Sequence, residues 1–257
     1  MRYGVCAGTK EMTASAARAG FDYVEWTVGN GLRMSEDDSN FSVWLQEFSA
    51  LPLSCLAMNC LVPGHLPILG AEADEKALHA YLETVFARAA RARVQTLVFG
   101  SGKARNIPDS VSPREGRRKL LDFCRLLASF GERSQVTVVL EPLNRKECNV
   151  MNSVRECAEM VRQVDHPNLR LLADSYHMAQ DGDRLEELLE FAPLLGHAHV
   201  ATGENRLAPT QEPCPVLEQF MRNLSRSGYQ GSVSVEGRLG DDEQILSAAE
   251  NWLKQWG

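Results

Sequence analysis

"VVLEPLNRKECNVMN", residues 138–152, sets an apolar strand directly against an acid. Val138, Val139 and Leu140 are apolar, and two of the three are β-branched, which reads as a buried strand. The run enters the carboxylate of Glu141 without a break, and Pro142 ends it. An acid closing a buried strand costs free energy unless a cation or donor meets it. Asn144, Arg145 and a second acid, Glu147, follow at once, so polar groups gather where the strand stops.

Working outward from this stretch, short apolar runs alternate with longer amphipathic ones along the whole chain. Strands are expected at Tyr3–Ala7, Tyr23–Thr27, Pro52–Asn59, Gln95–Phe99, Val136–Glu141, Leu169–Asp174, Gly196–Ala201 and Ser232–Glu236. Between them, apolar residues recur every three or four positions. The spacing predicts helices over Ala77–Ala92 and Arg114–Phe130, and Ser153 with Glu156 predicts a capping box. Gly20, Gly131, Gly228 and Gly257 stand where helices should end. Eight strand–helix units of roughly 32 residues each predict parallel strands joined by right-handed crossovers, an α/β fold of the (β/α)8 TIM-barrel type. An open doubly wound sheet is the second choice, but no GxGxxG follows the first strand. No linker or repeat breaks the pattern, so residues 1–257 read as one domain.

Composition narrows the function. Lys plus Arg total 27 against 34 Asp plus Glu, a formal charge of −7. An acidic chain without a basic stripe is a poor ligand for nucleic acid or for an anionic membrane. No secretory signal and no membrane-length apolar run is evident, and the seven cysteines have no regular spacing. They read as small core residues in a reducing, cytoplasmic setting.

In such barrels the chemistry lies at the C-terminal ends of the strands. Strand two offers Glu25 and Trp26, strand three Asn59, strand five Glu141, and strand six Asp174 with His177 three residues on. Strand seven offers His197 and His199, and strand eight Glu236. A single acid could simply pair with a buried arginine. Four consecutive strands ending in Glu, Asp, His and Glu point instead to one shared ion. Three carboxylates and an imidazole suit Mn²⁺, Mg²⁺ or Co²⁺ better than a structural zinc. His197 and His199 share a face of their strand. His199, nearer the end, is the better ligand, and His197 reads as a core histidine beneath it.

These residues lie in the motifs "LEPLNRKECN", "DSYHM", "HAHVA", "ENR" and "VSVEGR". With "NCLVPGHL" and "LVFGSGKARNIPD", their order and spacing resemble the sugar phosphate isomerase/epimerase superfamily of xylose isomerase-like TIM barrels. That group includes the D-tagatose and D-psicose 3-epimerases and hydroxypyruvate isomerase. The resemblance implies that Glu141, Asp174, His199 and Glu236 ligate one divalent metal, Mn²⁺ first, with Mg²⁺, Co²⁺ or Zn²⁺ as alternatives. It implies that Glu141 and Glu236 also move protons, and that Glu147, His177 and Arg206 contact substrate. Arg206 follows His199 by seven residues, where the 3-epimerases space them by six.

Several residues keep two readings. Glu25 is a substrate contact or an acid paired with an arginine, and Trp26 is a sugar platform or rim packing. His65, in a Pro-Gly loop, is a candidate lid residue. "FGSGKARN" lacks P-loop spacing but could hold a phosphate at the helix that follows. Trp252 and Trp256 share a helix face and suit packing or a subunit contact, so a homo-oligomer is admitted although no patch decides it.

The expected activity is a metal-dependent isomerase or epimerase acting through a cis-enediolate on a small ketose or related carbonyl polyol. The alternatives are an inosose-dehydratase-like lyase and, behind it, an endonuclease IV-like repair enzyme or a non-catalytic polyol-binding barrel.

Overall fold

The computed structural model describes residues 1–240 and 242–256. Eight strands form it: β1 (Arg2–Cys6), β2 (Tyr23–Thr27), β3 (Cys55–Asn59), β4 (Thr96–Phe99), β5 (Thr137–Leu140), β6 (Leu169–Asp174), β7 (Leu195–Val200) and β8 (Ser232–Val235). All are parallel, each pairs with the next, and β8 closes on β1, giving the expected (β/α)8 barrel. Each expected strand is present. The third begins at Cys55 rather than Pro52, because residues 51–53 form a bend.

Side chains alternate across each strand. On the outer faces, residues such as Val138, Leu140, Leu171 and Val233 join the large apolar layer beneath the helices. Inside the barrel, Val98, Val139 and Leu172 form a small separate cluster. The inner residues of β2, β7 and β8 are polar instead: Tyr23, Glu25, His197, His199, Ser232 and Ser234 are all buried.

The helices follow their sequence signals. Asp74 caps the helix Glu75–Arg91 by accepting from Lys76 N and Ala77 N. Ser153 Oγ accepts from Glu156 N, while Glu156 Oε2 accepts from Asn152 N, one residue earlier than in a strict capping box. Gly20 ends its helix in the left-handed region, and Gly228 follows the residue that closes Pro215–Arg226. Gly131 does not end a helix. Pro113–Ser134 runs through it and closes at Gln135 (φ 57°). Gly131 serves close approach: a Cβ there would lie 2.5 Å from the Val136 carbonyl oxygen. Gly257 lies outside the described residues. No helix among the described residues is long and apolar enough to cross a membrane. The free cysteines include four buried in the core, Cys55, Cys124, Cys148 and Cys157, with Cys6 and Cys214 partly covered and Cys60 exposed.

Candidate metal centre and active site

The ends of β5 to β8 converge. One donor atom each from Glu141, Asp174, His199 and Glu236 lies within 4.8 Å of the other three. His199 Nδ1 is 3.1 Å from Glu141 Oε1, 3.2 Å from Glu236 Oε2 and 4.0 Å from Asp174 Oδ2. Room for Glu141 comes from the neighbouring strand. Gly100, just past β4, has no side chain, and a Cβ there would lie 2.1 Å from Glu141 Oε2.

Asp174 does two jobs. Its Oδ1 caps the next helix, accepting from Tyr176 N at 2.7 Å and His177 N at 3.3 Å. Its Oδ2 is buried with no hydrogen-bond partner. A buried carboxylate oxygen without a donor is costly, and this one faces the other three donors. Arg206 offsets part of that cost, with Nη2 at 2.5 Å from Glu236 Oε2 and 3.6 Å from Asp174 Oδ2. Arg206 and His199 together meet only part of the charge of the three carboxylates and Glu25, and a divalent cation fits the set: hard oxygens, one imidazole and an orphaned oxygen aimed inward.

His199 is oriented from below. Its Nε2 lies 3.0 Å from Glu25 Oε1, which leaves Nδ1 to face the three carboxylates. A carboxylate behind a ligating imidazole fixes the ring and raises its basicity. Glu25 is fully buried and also bonds His197 Nε2 at 2.9 Å and Ser234 Oγ at 2.7 Å. His197 completes the layer, with Nδ1 2.9 Å from Ser232 Oγ, and is a satisfied core histidine.

Two sequence expectations are corrected here. Glu25, read as a substrate contact or an acid paired with an arginine, lies two residues before the end of β2, opposite Cys6, fully buried and outside the residues that line the cavity described below. Its partners are histidines and a serine, not an arginine. Trp26 then points outward by alternation. It is buried against Trp44 and Phe48, and its Nε1 donates to Thr13 Oγ1, so it is no sugar platform.

The electrostatics follow from this crowding. Burial alone would push Glu25 up, but the charge of His199 and hydrogen bonds from both histidines hold it well below the usual carboxylate range. Burial raises Glu141, with only partial relief from the His199 hydrogen bond. Burial likewise pushes Asp174 up to about 6, with Arg206 opposing. Glu236 is pulled down to about 2 against its burial, by His199 and Arg206. Against burial, Glu25 and Glu236 hold His199 well above the usual imidazole range. Cys6, Glu25 and His199 also cluster. Burial and the Glu25 charge push the Cys6 thiol well up, and Glu25 is already saturated, which makes that trio a poor cation site.

Above the centre lies a cavity of about 290 Å³ lined in part by Asn59, Lys103, Glu141, Glu147, His177 and Glu236. His177 Nδ1 faces Asn144 N and Nδ2, and Asn144 Nδ2 also donates to Glu147 Oε1, so one loop residue positions both. Arg145 braces the same loop through Asp181. A second cleft of about 450 Å³ shares Glu147, Arg206 and Glu236. Glu147, His177 and Arg206 therefore all reach the space above the centre. Asn59 donates to Glu236 Oε1 at 2.9 Å. Sequence reasoning missed Arg105, which is fully buried and donates to the carbonyls of Phe99, Glu141 and Met151. Its only signal was an arginine six residues beyond a strand end in a glycine-rich turn.

This geometry defines a closed barrel with an acidic ligand set at its C-terminal mouth. Residues 13–256 match the xylose isomerase-like TIM barrel family, and the chain belongs to it. Among its relatives is the 3-dehydro-D-guloside 4-epimerase of Escherichia coli (strain K12), 31% identical over 154 residues. That match takes in 58% of this chain and 58% of that enzyme. The L-ribulose 3-epimerase of Methylomonas sp. (strain DH-1) is 25% identical over 97% of this chain and 86% of its own. The structure of D-psicose 3-epimerase from Clostridium cellulolyticum H10 with D-tagatose superposes with a TM-score of 0.81 at 20% identity. It covers 99% of both chains and shows the shared fold. The names of the curated relatives support an enzyme of the isomerase/epimerase type.

Proposed function

We propose that this protein is a divalent-metal-dependent epimerase or isomerase acting on a small ketose or a related carbonyl polyol. The observation that carries the reading is the convergence of Glu141, Asp174, His199 and Glu236 beneath a cavity that Glu147, His177 and Arg206 also reach.

Glu141, Asp174, His199 through Nδ1, and Glu236 would hold the ion, with Mn²⁺ the first choice. When bound, it would polarise a ketose carbonyl and acidify the neighbouring C–H. Glu141 and Glu236 come from strands on either side of the pair that supplies Asp174 and His199. Each can accept or return a proton at a substrate carbon. With one acid on each face, the stereocentre inverts through a cis-enediolate; with one acid shuttling, aldose and ketose exchange. His177 Nε2 and Glu147 would bind substrate hydroxyls, and Arg206 would hold an oxygen near Glu236.

The test is deuterium uptake. Protein loaded with Mn²⁺ in D₂O is given ketoses, ketose phosphates and inosose one at a time, and the α C–H signal is followed by NMR. Exchange with at least one is expected, and the product separates epimerase, isomerase and dehydratase. Absence of exchange across the panel, in protein shown to hold metal, would overturn the reading.

A further inference from the structure

The cavity over the metal centre has two unlike walls. Glu141, Glu147, His177, Arg206 and Glu236 follow β5 to β8. Facing them are groups that follow β3 and β4, and the charged one is Lys103. In a closed eight-stranded barrel β4 lies four strands from β8 in either direction, so Lys103 stands across the mouth from Glu236.

Two of the residues named on these walls are cations, and only one is committed. Arg206 is paired to Glu236 and Asp174. Lys103 has no carboxylate within ion-pair distance among the described residues, whereas Lys10, Lys119 and Lys254 each have one.

Lys103 also stands on a fixed base. Its stem lies along Gly64, where a Cβ would meet Lys103 Cβ at 2.9 Å and Cδ at 3.2 Å. Ser101 Oγ accepts from Val62 N at 2.9 Å and ties the loops after β3 and β4 together. Ile68 N donates to the Ala104 carbonyl at 2.8 Å, and the buried Arg105 anchors the turn to the ends of β4 and β5. Lys103 is exposed overall, but a stem packed on Gly64 and an anchored turn keep its charge at the mouth of the cavity. Opposite a centre that takes the carbonyl end of a substrate, it selects for the other end.

The geometry points to an open-chain ketose whose end remote from the carbonyl is anionic, a carboxylate or a phosphate, with Lys103 as the residue that recognises that charge. This rests on the reading of the acidic wall as the reacting end. The one-turn helix Gly102–Arg105 is too short to form an anion site by itself, so the recognition falls to the ammonium group.

The experiment is titration calorimetry on the Mn²⁺-loaded protein with D-fructose, D-fructuronate and D-fructose 6-phosphate, which differ only at C6. At least one anionic sugar is expected to bind tenfold or more tightly than D-fructose. K103M should erase that advantage, and K103R should keep it. A gain for D-fructuronate alone assigns a carboxylate, and a gain for the phosphate ester alone assigns a phosphate. The proposal is overturned if D-fructose matches both anions, if the advantage survives K103M, or if none of the three binds. Anion selectivity without α C–H exchange would keep Lys103's role and remove the enediolate chemistry; exchange without selectivity would do the reverse.

Discussion

The two halves of the barrel mouth differ in kind. Beyond or at the ends of β5 to β8 stand Glu141, Asp174, His199 and Glu236, all turned inward and buried or nearly so. The corresponding positions of β1 to β4 are Cys6, Thr27, Asn59 and Gly100, and none offers a carboxylate or an imidazole. Among the described strand residues of that side, the acid is Glu25, which sits a step lower and serves His199 from beneath. One half thus concentrates charge that needs an ion. The other supplies space, a hydrogen bond from Asn59 and Lys103, a cation with no carboxylate within ion-pair distance among the described residues. On the proposed reading, chemistry and selection are divided by strand, and substrate range can change without rebuilding the four-donor cluster.

The division is tested hardest at Glu236. On the proposed mechanism, Glu236→Gln removes a proton carrier and a metal donor together. General acid–base groups contribute about 10²–10⁴-fold, so α C–H exchange should fall by roughly 10³-fold or more while the barrel remains folded. Exchange at the wild-type rate in this variant would sink the two-glutamate mechanism.

Next comes the acid beneath the centre. Glu25→Gln leaves the four donors intact but weakens the group that orients His199. Loss of such partners typically costs about 10–100-fold in metal affinity. Mn²⁺ titration followed by electron paramagnetic resonance should show a drop of that size. An unchanged affinity would mean that the three carboxylates hold the ion without help from below.

The metal-binding half should also respond to pH in a defined direction. Burial pushes Asp174 up to about 6, and carboxylate neighbours hold a proton on His199 well above its usual range. Both groups must lose that proton to bind an ion. Asp174's own contribution to the stability of the metal-free fold is full below the ordinary aspartate range and is lost as pH rises through about 6. Metal affinity runs the other way and rises with pH. At a fixed Mn²⁺ concentration, the gain in melting temperature should be large at pH 7.5 and shrink as pH falls through about 6. A gain independent of pH would show that neither group holds a proton in the metal-free protein.

How much of this the sequence reveals depends on where a residue sits along its strand. Glu141, Asp174 and Glu236 stand out because each interrupts an apolar run, and an acid there needs a partner. His199 is separable from His197 by position alone, since the alternation puts both on one face. Glu25 and Trp26 mislead for the same reason in reverse. The bounds of β2 are as expected, Tyr23–Thr27, but Glu25 stands two residues before that end and so below the rim, and Trp26 beside it faces outward by alternation. Arg105 is silent because, apart from Cys148 Sγ, its partners are backbone carbonyls from three separate segments, which no side-chain pattern records. Convergence can be read from strand ends; the layers beneath require the register.

Trp26 gives the smallest effect and the sharpest check of that register. In Trp26→Phe the Thr13 hydrogen bond is lost, worth about 1 kcal/mol, with some further loss from the smaller ring against Trp44 and Phe48. For a chain of this size, each kcal/mol shifts the melting temperature by about 2–4 °C. The expected result is therefore a melting point lower by several degrees, with KM and kcat within twofold of wild type. A sugar platform would give the opposite pattern, a raised KM on an equally stable protein. The two outcomes place the ring on opposite faces of β2. Only the outward one is compatible with Glu25 facing His199 from the adjacent position.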